Sequence, residues 1–400
     1  IPWGVIGDNK AIEIGLAGLD ANKTTVSNHS DWTVTMNWDD NNRKMTATSG
    51  IGMPFIYFEK QSNQDVEIIV NSGNVTVNNE IIIIENASNG ADFVIYAPSG
   101  SSWNVSGSKY SSSLNNKNYW SVLMLPQSTS NANQEAELFK DFAYVFPSNT
   151  ITKWNYDSQS AVVTTDFEIL TETKEGSNSV FLQGLLPHQW DNLSSESEVP
   201  NFKNYSTVRG ELKILKGNKF TVENKFSGIL STLPYLNQYS DTYNPGELDE
   251  KIKQIENNKL DLWTDSYNEG QMMNRLVQTG RIAEEIGNHE ARDKIISTIK
   301  ERLEDWLTYE SGEKAFMFYY NDDWSTLIGY PAGHGQDNNI NDHHFHWGYF
   351  IHAASFLQQF DSEWVDTWGP MINFLIRDAA STDRSDEKFP FLRNFSPYSG

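Results

Sequence analysis

The hydrophobic period of this chain changes once, near Pro245 and Gly246. Before this point, short apolar runs alternate with polar residues at a period of two and are separated by Asn-, Ser- and Gly-rich turns. After it, apolar residues recur three and four positions apart, as in helices that bury one face. The 400 residues are also too many for one ordinary core. We therefore expect a strand-rich part and a helical part that fold as separate domains.

The strand-rich part predicts an antiparallel β-sandwich. Its clearest hairpin consists of the alternating segment 32–38, a polar turn at 39–42 and a return strand at 44–48. Many short strands at such spacing are typical of sandwiches. One helix is expected at 133–142, where Glu and Ala residues have poor strand propensity. Further strands are expected at 55–58, 66–70, 81–84, 93–96, 119–124 and 161–168.

We place domain boundaries where composition and period change. The β-sandwich is predicted to span 1–184, a small α/β linking domain 185–250, and an incomplete helical domain 251–400. In the linking domain, a tight turn at 216–218 joins two short strands. Helices followed by loops rich in aromatic, Gly and Asp residues, at 263–270 and 319–330, predict an α/α toroid. The expected helices are 248–260, 270–286, 291–307, one from Asp342, and 364–380. The helix 291–307 is expected to bury one apolar stripe, formed by Ile295, Ile296, Ile299, Leu303, Trp306 and Leu307.

The strongest candidate for a functional site is the segment 341–352 (NDHHFHWGYFIH), which holds half of the eight histidines. Histidines titrate near neutral pH, and aromatic rings offer flat apolar faces to sugars or bases. We expect Asn341 to cap a helix that has Asp342 at its first position and Phe345 and Tyr349 on its buried side. To donate a proton, Asp342 would need burial or a second carboxylate that raises its pKa.

Two other interpretations of this segment stay open. Asp342, His343 and His346 are residue types that bind zinc at helical spacing, although the chain has no HExxH pattern and no cysteine. Alternatively, the histidines form a partly buried, hydrogen-bonded cluster without a role in any site.

Charge and composition exclude several classes of partner. The net charge is −23 and the pI about 4.7, so nucleic acid and anionic membranes should be repelled, while a neutral substrate is accepted more easily. The absence of cysteine excludes disulfides and thiolate metal sites. The chain contains no run of 18 apolar residues, so no membrane-spanning segment is predicted. The first residues lack the features of a signal peptide, so either none exists or the sequence is a mature or trimmed form.

Five segments stand out by their length, order and spacing. They are 186–193 (LPHQWDNL), 205–213 (YSTVRGELK), 324–332 (WSTLIGYPA), 341–350 (NDHHFHWGYF) and 389–395 (FPFLRNF). Together they resemble glycoside hydrolase family 81, the endo-β-1,3-glucanases or laminarinases, over residues 31–400. The resemblance implies an N-terminal β-sandwich, a small α/β linking domain and a C-terminal (α/α)6 barrel that is only partly present. That architecture agrees with the periodicity.

The resemblance also implies a reaction, the inverting hydrolysis of internal β-1,3-glucosidic linkages in laminarin- or curdlan-type glucans, without metal or cofactor. Asp342 matches the family's general acid. The general base is a glutamate that we expect beyond Gly400, and the opening of the sandwich domain is expected before Ile1. Two residues depart from the family's pattern: Gln271 stands where lysine is expected, and Ser396 where an acidic residue is expected.

Further residues are candidates for contacts with a sugar. Aromatic side chains offer platforms, while imidazole, guanidinium and amide groups bind hydroxyls. Each has a plainer alternative: Asp265 can cap the next helix, Arg393 can pair with a structural carboxylate, and the large rings can belong to the core. The candidates are Asp265, Tyr267, Trp324, Tyr330, His334, His343, His346, Trp347, Tyr349, Arg393 and Asn394.

The leading hypothesis is thus a secreted, monomeric endo-β-1,3-glucanase. A non-catalytic β-glucan-binding protein that lacks the base is the alternative from another class. A metal-dependent hydrolase built on Asp342, His343 and His346 is a third. Activity of a longer form that includes the downstream glutamate distinguishes the first two, and sensitivity to a chelator distinguishes the third.

Overall fold

The computed structural model describes residues 11–87, 90–229, 242, 244–256 and 264–399. The chain divides into two compact units. The first comprises Ile1–Gly228 and Ser396–Gly400, and the second Ile229–Phe395. The predicted division into three domains stays a prediction, although strands on both sides of the predicted boundary near 184 pair with one another, as described below. Residues 257–260, the predicted end of one helix, lie outside the described residues.

The first unit is built from antiparallel strands. Strands β1 to β6 are Ile12–Leu16, Thr25–His29, Thr33–Asp39, Lys44–Gly50, Phe55–Lys60 and Val66–Val70. Strands β7 to β12 are Asn74–Asn78, Ile81–Glu85, Phe93–Tyr96, Asn104–Ser106, Lys109–Ser112 and Tyr119–Met124. Helix α1 (Ala132–Phe139) precedes β13 (Val145–Asp157), β14 (Val162–Thr173) and β15 (Leu182–Leu185). Helix α2 (Pro187–Trp190) precedes β16 (Asn204–Thr207), β17 (Gly210–Lys216) and β18 (Lys219–Lys225).

A sandwich forms the larger part of this unit, as predicted. An eight-stranded sheet has the order β2-β3-β4-β5-β12-β9-β8-β7, and a four-stranded sheet the order β1-β6-β11-β10. One core cluster takes residues from both sheets, including Ile68 and Ile82. The predicted hairpin is confirmed as β3 and β4, with Trp38 opposite Met45. The predicted helix at 133–142 corresponds to α1 and a short 3-10 turn that follows it.

The eight-stranded sheet is covered on both faces. Side chains of a strand alternate between the faces, so Ile82 and Ile84 enter the sandwich core while Ile81 and Ile83 enter a second core. The second core contains helix α1 and residues of two three-stranded sheets, β13-β14-β18 and β15-β17-β16. It also holds the fully buried Tyr398, whose hydroxyl donates to the Gly184 carbonyl at 2.7 Å.

The tight turn at 216–218 joins two strands that belong to different sheets and do not pair with each other. Strand β17 pairs with β15 and β16, whereas β18 pairs with β14. The side chain of Asn218 stabilises this corner, because its oxygen accepts from the Phe181 N–H at 2.8 Å and its amide donates to the Ser179 carbonyl at 2.9 Å. The predicted tight turn between the two strands is confirmed, since β17 ends at Lys216 and β18 begins at Lys219. The bonds of Asn218 to residues about forty positions away direct the two strands apart.

The second unit is mainly helical, as predicted. Its helices are α3 (Pro245–Glu256), α4 (Ser266–Glu285), α5 (His289–Leu307), α6 (Gln336–Asn339), α7 (His343–Gln358) and α8 (Ser362–Ala380). The segment 319–330, predicted to be a loop, instead contributes to the hairpin of β19 (Met317–Asn321) and β20 (Thr326–Tyr330). None of the helices in the described ranges has the length and apolar character that a bilayer crossing requires.

Helix α4 packs against α5 and α7, and α7 packs against α8. The predicted apolar stripe of α5 is confirmed, since Ile295, Ile299, Leu303 and Trp306 are all buried in one cluster. The predicted (α/α)6 arrangement stays a prediction. What matters for the site is that the N-terminal ends of α4 and α7 and the hairpin β19–β20 supply its side chains.

Candidate active site

Asp342 is the N-cap of helix α7, not its first helical residue as expected. Its backbone is left-handed, with φ 57°, a conformation that costs an L-residue roughly 1–2 kcal/mol. The Asp342 carbonyl accepts from the N–H groups of Phe345 and His346, but its side chain makes no capping bond. Instead, Oδ2 accepts from the amide of Asn341 at 2.9 Å. The expected cap by Asn341 was therefore wrong, and a half-buried carboxylate is left at the start of α7.

The buried face of α7 also differs from the expected one. His343, His346, Trp347 and Phe350 are at most 1% exposed, whereas Phe345 is 53% exposed. The expectation that Phe345 lies on the buried side was wrong. Two imidazoles thus lie in the interior, where their hydrogen bonds decide what they can do.

A cluster of rings connects α4, α7 and the loop before α6. The ring of Tyr267 lies 4.3 Å from His334, 5.4 Å from His346 and 6.0 Å from Tyr349, measured between ring centroids. Tyr267 and Tyr349 are half-buried and His334 is exposed. The helices approach closely here because Gly270 has no side chain: a Cβ at this position would lie 2.7 Å from the Cβ of Tyr349. Four predicted site residues are thereby brought together, and we call them the ring cluster.

Three other predicted site residues converge on a fully buried carboxylate, Asp378. The indole of Trp347 donates to its Oδ2 at 2.6 Å, and His343 bonds to the same oxygen through Nδ1. Arg393 donates to Oδ1 at 3.1 Å and to the Asp378 carbonyl, also at 3.1 Å. His343 and Trp347 are fully buried with their polar groups on Asp378, so their predicted contacts with sugar were wrong. Arg393 pairs with a structural carboxylate, which was the plainer of its two interpretations. A buried carboxylate needs several such donors.

The hydrogen bonds of His343 define its tautomer. Gln336, fully buried, bonds through Nε2 to His343 Nε2 at 3.1 Å and to the Leu327 carbonyl at 3.2 Å. Since an amide nitrogen can only donate, His343 Nε2 is an acceptor and Nδ1 carries the hydrogen that bonds to Asp378. Both ring nitrogens are thus engaged within the protein.

His346 has one nitrogen engaged and one free of partners in the described part of the chain. Nδ1 lies 2.7 Å from the hydroxyl of Ser266, the first residue of α4. Nε2 is buried and has no hydrogen-bond partner there. Burial, assisted by the imidazoles of His343 and His334, lowers the pKa of His346 to about 4, so the ring is neutral near pH 7.

Asp265 caps helix α4, which was the plainer of its two interpretations. Its Oδ1 accepts from the N–H groups of Tyr267 and Asn268, and its Oδ2 accepts from the Asn268 amide. Burial raises the pKa of Asp265, but these donors lower it more, and the net shift is downward. A Cβ at Gly333, whose φ is +63°, would overlap Asp265, so glycine is required there.

The remaining candidates lie at the surface or in the segment after α8. Trp324, in the β19–β20 turn, is 51% exposed, and Tyr330, at the end of β20, is 49% exposed. Asn394 is half-buried, and its side-chain oxygen has no partner among the described residues. Sequence reasoning did not select His344 and Phe395 as sugar contacts, yet His344 is exposed, with its ring centroid 6.2 Å from that of the half-exposed Phe395.

Sequence reasoning also missed Asp378, Gln336 and Ser266. For Asp378 a signal existed: it lies in line with Ile372 and Leu375, so an ionisable residue occupies the buried stripe of α8. Such a residue is buried only with partners. For Gln336 and Ser266 the sequence offered no comparable signal.

The predicted zinc ligands are not arranged around a common point. Among the described residues, no group of three or more His, Asp or Glu side chains has the geometry to hold a metal ion. The physical reason is visible at His343, whose two nitrogens bond to Asp378 and Gln336.

Known proteins resemble this chain over nearly its whole length. Residues 246–400 match the C-terminal domain of glycosyl hydrolase family 81. The chain is 34% identical over 402 residues to a glucan endo-1,3-β-D-glucosidase of Thermobifida fusca, an alignment that covers 97% of this chain and 50% of that protein. It is 39% identical over 317 residues to a glucan endo-1,3-β-D-glucosidase of Acetivibrio thermocellus, an alignment that covers 78% of this chain and 40% of that protein.

A solved structure agrees with these matches. A mutant of a family 81 glycoside hydrolase from Clostridium thermocellum superposes with a TM-score of 0.85 at 34% identity, covering 98% of this chain and 54% of that one. Sequence and fold thus relate the chain to the glycosyl hydrolases. Within that class its similarity is to family 81, whose C-terminal domain matches residues 246–400. The chain spans about half the length of these relatives.

Proposed function

We propose that the protein hydrolyses internal β-1,3-glucosidic linkages in glucans of the laminarin and curdlan type. The observation that carries this proposal is the state of Asp342, a half-buried carboxylate with left-handed backbone that does not cap its helix. Strained residues of this kind concentrate at functional sites. Relatives that are named glucan endo-1,3-β-D-glucosidases support the choice of substrate.

In the proposed mechanism, Asp342 is the general acid. It protonates the glycosidic oxygen while the bond to the anomeric carbon breaks, and a second carboxylate removes a proton from the water that attacks the opposite face of the sugar. In an inverting pair the two carboxyl groups lie roughly 6.5–9.5 Å apart. Asp265 is a poor base because three donors already occupy its oxygens. In this proposal the base is therefore a carboxylate other than Asp265.

The sugar contacts divide into two groups in this proposal. Tyr267, His334, Tyr349, Trp324 and Tyr330 present exposed or half-buried rings on which a pyranose can stack. The residues around Asp378 act differently, since they hold α7 and the hairpin in place and make no contact with sugar. They are His343, Trp347 and Arg393.

The substrate is tested by assaying reducing ends released from laminarin, a β-1,4-glucan and xylan. We expect clear preference for laminarin when the protein is assayed in its full natural length. Preference for either β-1,4-linked polymer contradicts the proposal. Binding of laminari-oligosaccharides without hydrolysis by the full-length protein favours the glucan-binding alternative.

A chelator separates the proposal from the metal-dependent alternative. Two carboxylates need no metal, so EDTA should leave the rate on laminarin unchanged. Loss of activity in EDTA that zinc restores would establish a metallohydrolase.

We further propose that the protein is secreted and monomeric. A glucan polymer carries many hydroxyl groups and does not cross a lipid bilayer, so an enzyme that cleaves external glucan acts outside the cell. Detection of the protein in the culture medium and a single molar mass in light scattering are the expected results.

A further inference from the structure

We propose that Ser266 is a positioning residue: it holds His346 in the Nδ1-protonated tautomer, so that Nε2 accepts a hydroxyl group of bound β-1,3-glucan. The inference rests on the proposed function and deepens it. It gives His346 a defined role as an acceptor, and it adds a residue of α4 to the site.

The direction of the hydrogen bonds follows from the partners of Ser266. Its hydroxyl oxygen lies 2.8 Å from the Ala332 carbonyl and 2.7 Å from His346 Nδ1. A hydroxyl has one hydrogen, and a carbonyl oxygen can only accept. Ser266 therefore donates to Ala332 and accepts from Nδ1, which must carry the ring hydrogen of the neutral imidazole.

Packing and backbone hydrogen bonding fix the orientation of the Ser266 side chain. It is fully buried, and its backbone N–H donates to the Pro331 carbonyl at 3.0 Å. Gly329 of β20 packs directly against it: a Cβ on this glycine would lie 2.8 Å from the Cβ of Ser266. The serine is thus held between α4 and the strand, with its oxygen turned to His346.

This tautomer leaves a lone pair on Nε2 of His346. The residue is 1% exposed, and Nε2 has no hydrogen-bond partner among the described residues. A buried acceptor without a donor is unfavourable, so a ligand that supplies a donor lowers the free energy of the site. The low pKa of His346, about 4 through burial, keeps this lone pair available at neutral and mildly acidic pH.

The ligand that fits is a neutral group with an O–H donor and an apolar ring face. His346 belongs to the ring cluster, where Tyr267 is half-buried and His334 exposed, so a group from solvent can approach along these rings. A pyranose ring stacks on aromatic faces and carries hydroxyl donors in its plane. Ser266, by contrast, has no access to solvent and acts only through His346.

The tautomer is tested by nitrogen NMR on the 400-residue chain labelled with ¹⁵N-histidine. The resonances of His346 are identified by their loss in His346→Gln. We expect a protonated Nδ1 and an unprotonated Nε2 in the wild type, and a mixture of both tautomers in Ser266→Ala. The control is Thr279→Val, which removes another buried hydroxyl from α4, one that donates to the Arg275 carbonyl at 2.8 Å. A wild-type Nε2 that carries the hydrogen overturns the proposal, even if Ser266→Ala fails to fold.

The ligand is tested by titrating the same samples with laminaripentaose. The Nε2 resonance should move towards the protonated position as the sugar binds, and Ser266→Ala should weaken binding roughly three- to tenfold, the worth of one hydrogen bond, while Thr279→Val does not. If laminaripentaose binds and the Nε2 resonance stays in place, the acceptor role is wrong and the proposed function stands. If no β-1,3-oligosaccharide binds, the glucan assignment fails while the tautomer result is retained.

Discussion

The indole nitrogen of Trp347 lies 2.6 Å from Oδ2 of Asp378, and both residues are fully buried. The same carboxylate bonds to His343 and, through Oδ1, to Arg393 and the Leu327 N–H. One side chain of α8 thus ties together the first turn of α7, the hairpin β19–β20 and the segment after α8. Because Asp342 directly precedes His343, its position at the start of α7 depends on the buried carboxylate of Asp378.

Replacing Asp378 should therefore destabilise the second unit. In Asp378→Asn, one carboxylate oxygen is replaced by an amide nitrogen, which can only donate. This nitrogen would face either the donors of His343 and Trp347 or the donor of Arg393. Breaking a buried charged network in this way costs roughly 3–5 kcal/mol. Urea unfolding measures the loss. Asp366→Asn, an exposed change on the same helix, should stay within about 0.5 kcal/mol of the wild type. Equal stability of the two variants would show that the network contributes little.

Asp342→Asn should fold normally, because the carboxylate makes no helix-capping bond. Removal of a general acid typically costs about 10²–10⁴-fold in rate, and we expect this loss on laminarin. The loss should be smaller on an aryl or fluoride glycoside, whose leaving group needs no proton. Asp337→Asn, a change of the nearest upstream carboxylate, is the control. A rate within a few-fold of the wild type on laminarin would assign Asp342 to binding or structure, and an unfolded variant would leave the acid unassigned.

Two glycines of the second unit should respond in opposite ways to alanine. In Gly270→Ala the new Cβ meets Tyr349 at 2.7 Å, so overpacking of about 1–3 kcal/mol exceeds the gain in helix propensity. Gly348→Ala in α7 has no atom within 4 Å and should stabilise by up to about 1 kcal/mol. Thermal unfolding compares them. A stabilised Gly270→Ala would mean that Tyr349 moves away at no cost.

His346 should make the protein less stable in mild acid. Its pKa is lowered from 6.5 to about 4 in the folded protein, mainly by burial and further by His343 and His334, against the opposing charges of Asp265 and Asp342. Between these two pH values the unfolded chain binds the proton and the folded one does not, so stability falls as pH falls through this window. The loss reaches up to about 3 kcal/mol at its lower end.

The measurement is urea unfolding of the wild type and His346→Gln across this window. The variant lacks the titrating imidazole, so its stability should fall less steeply with decreasing pH. Parallel curves for the two proteins would show that His346 is protonated equally in the folded and unfolded states.

The sequence by itself determined where most strands and helices form and, for α5, which face is buried. The alternation of 32–38 predicted a strand of one hairpin, and the stripe of Ile295, Ile299 and Leu303 predicted the buried face of α5. It also singled out Asp342 and the rings that surround Tyr267. These features are local: a period of two or 3.6 residues can be recognised within a dozen positions because side-chain direction follows the backbone.

Only the tertiary structure decided what each polar group of the site faces. His343 meets Asp378 across 35 positions of sequence, and Ser266 meets His346 across 80. The left-handed backbone of Asp342, whose carboxylate makes no capping bond, likewise has no pattern in the residues beside it. A hydrogen bond requires atoms about 3 Å apart, and for residues so distant in sequence that distance is set by how the helices pack.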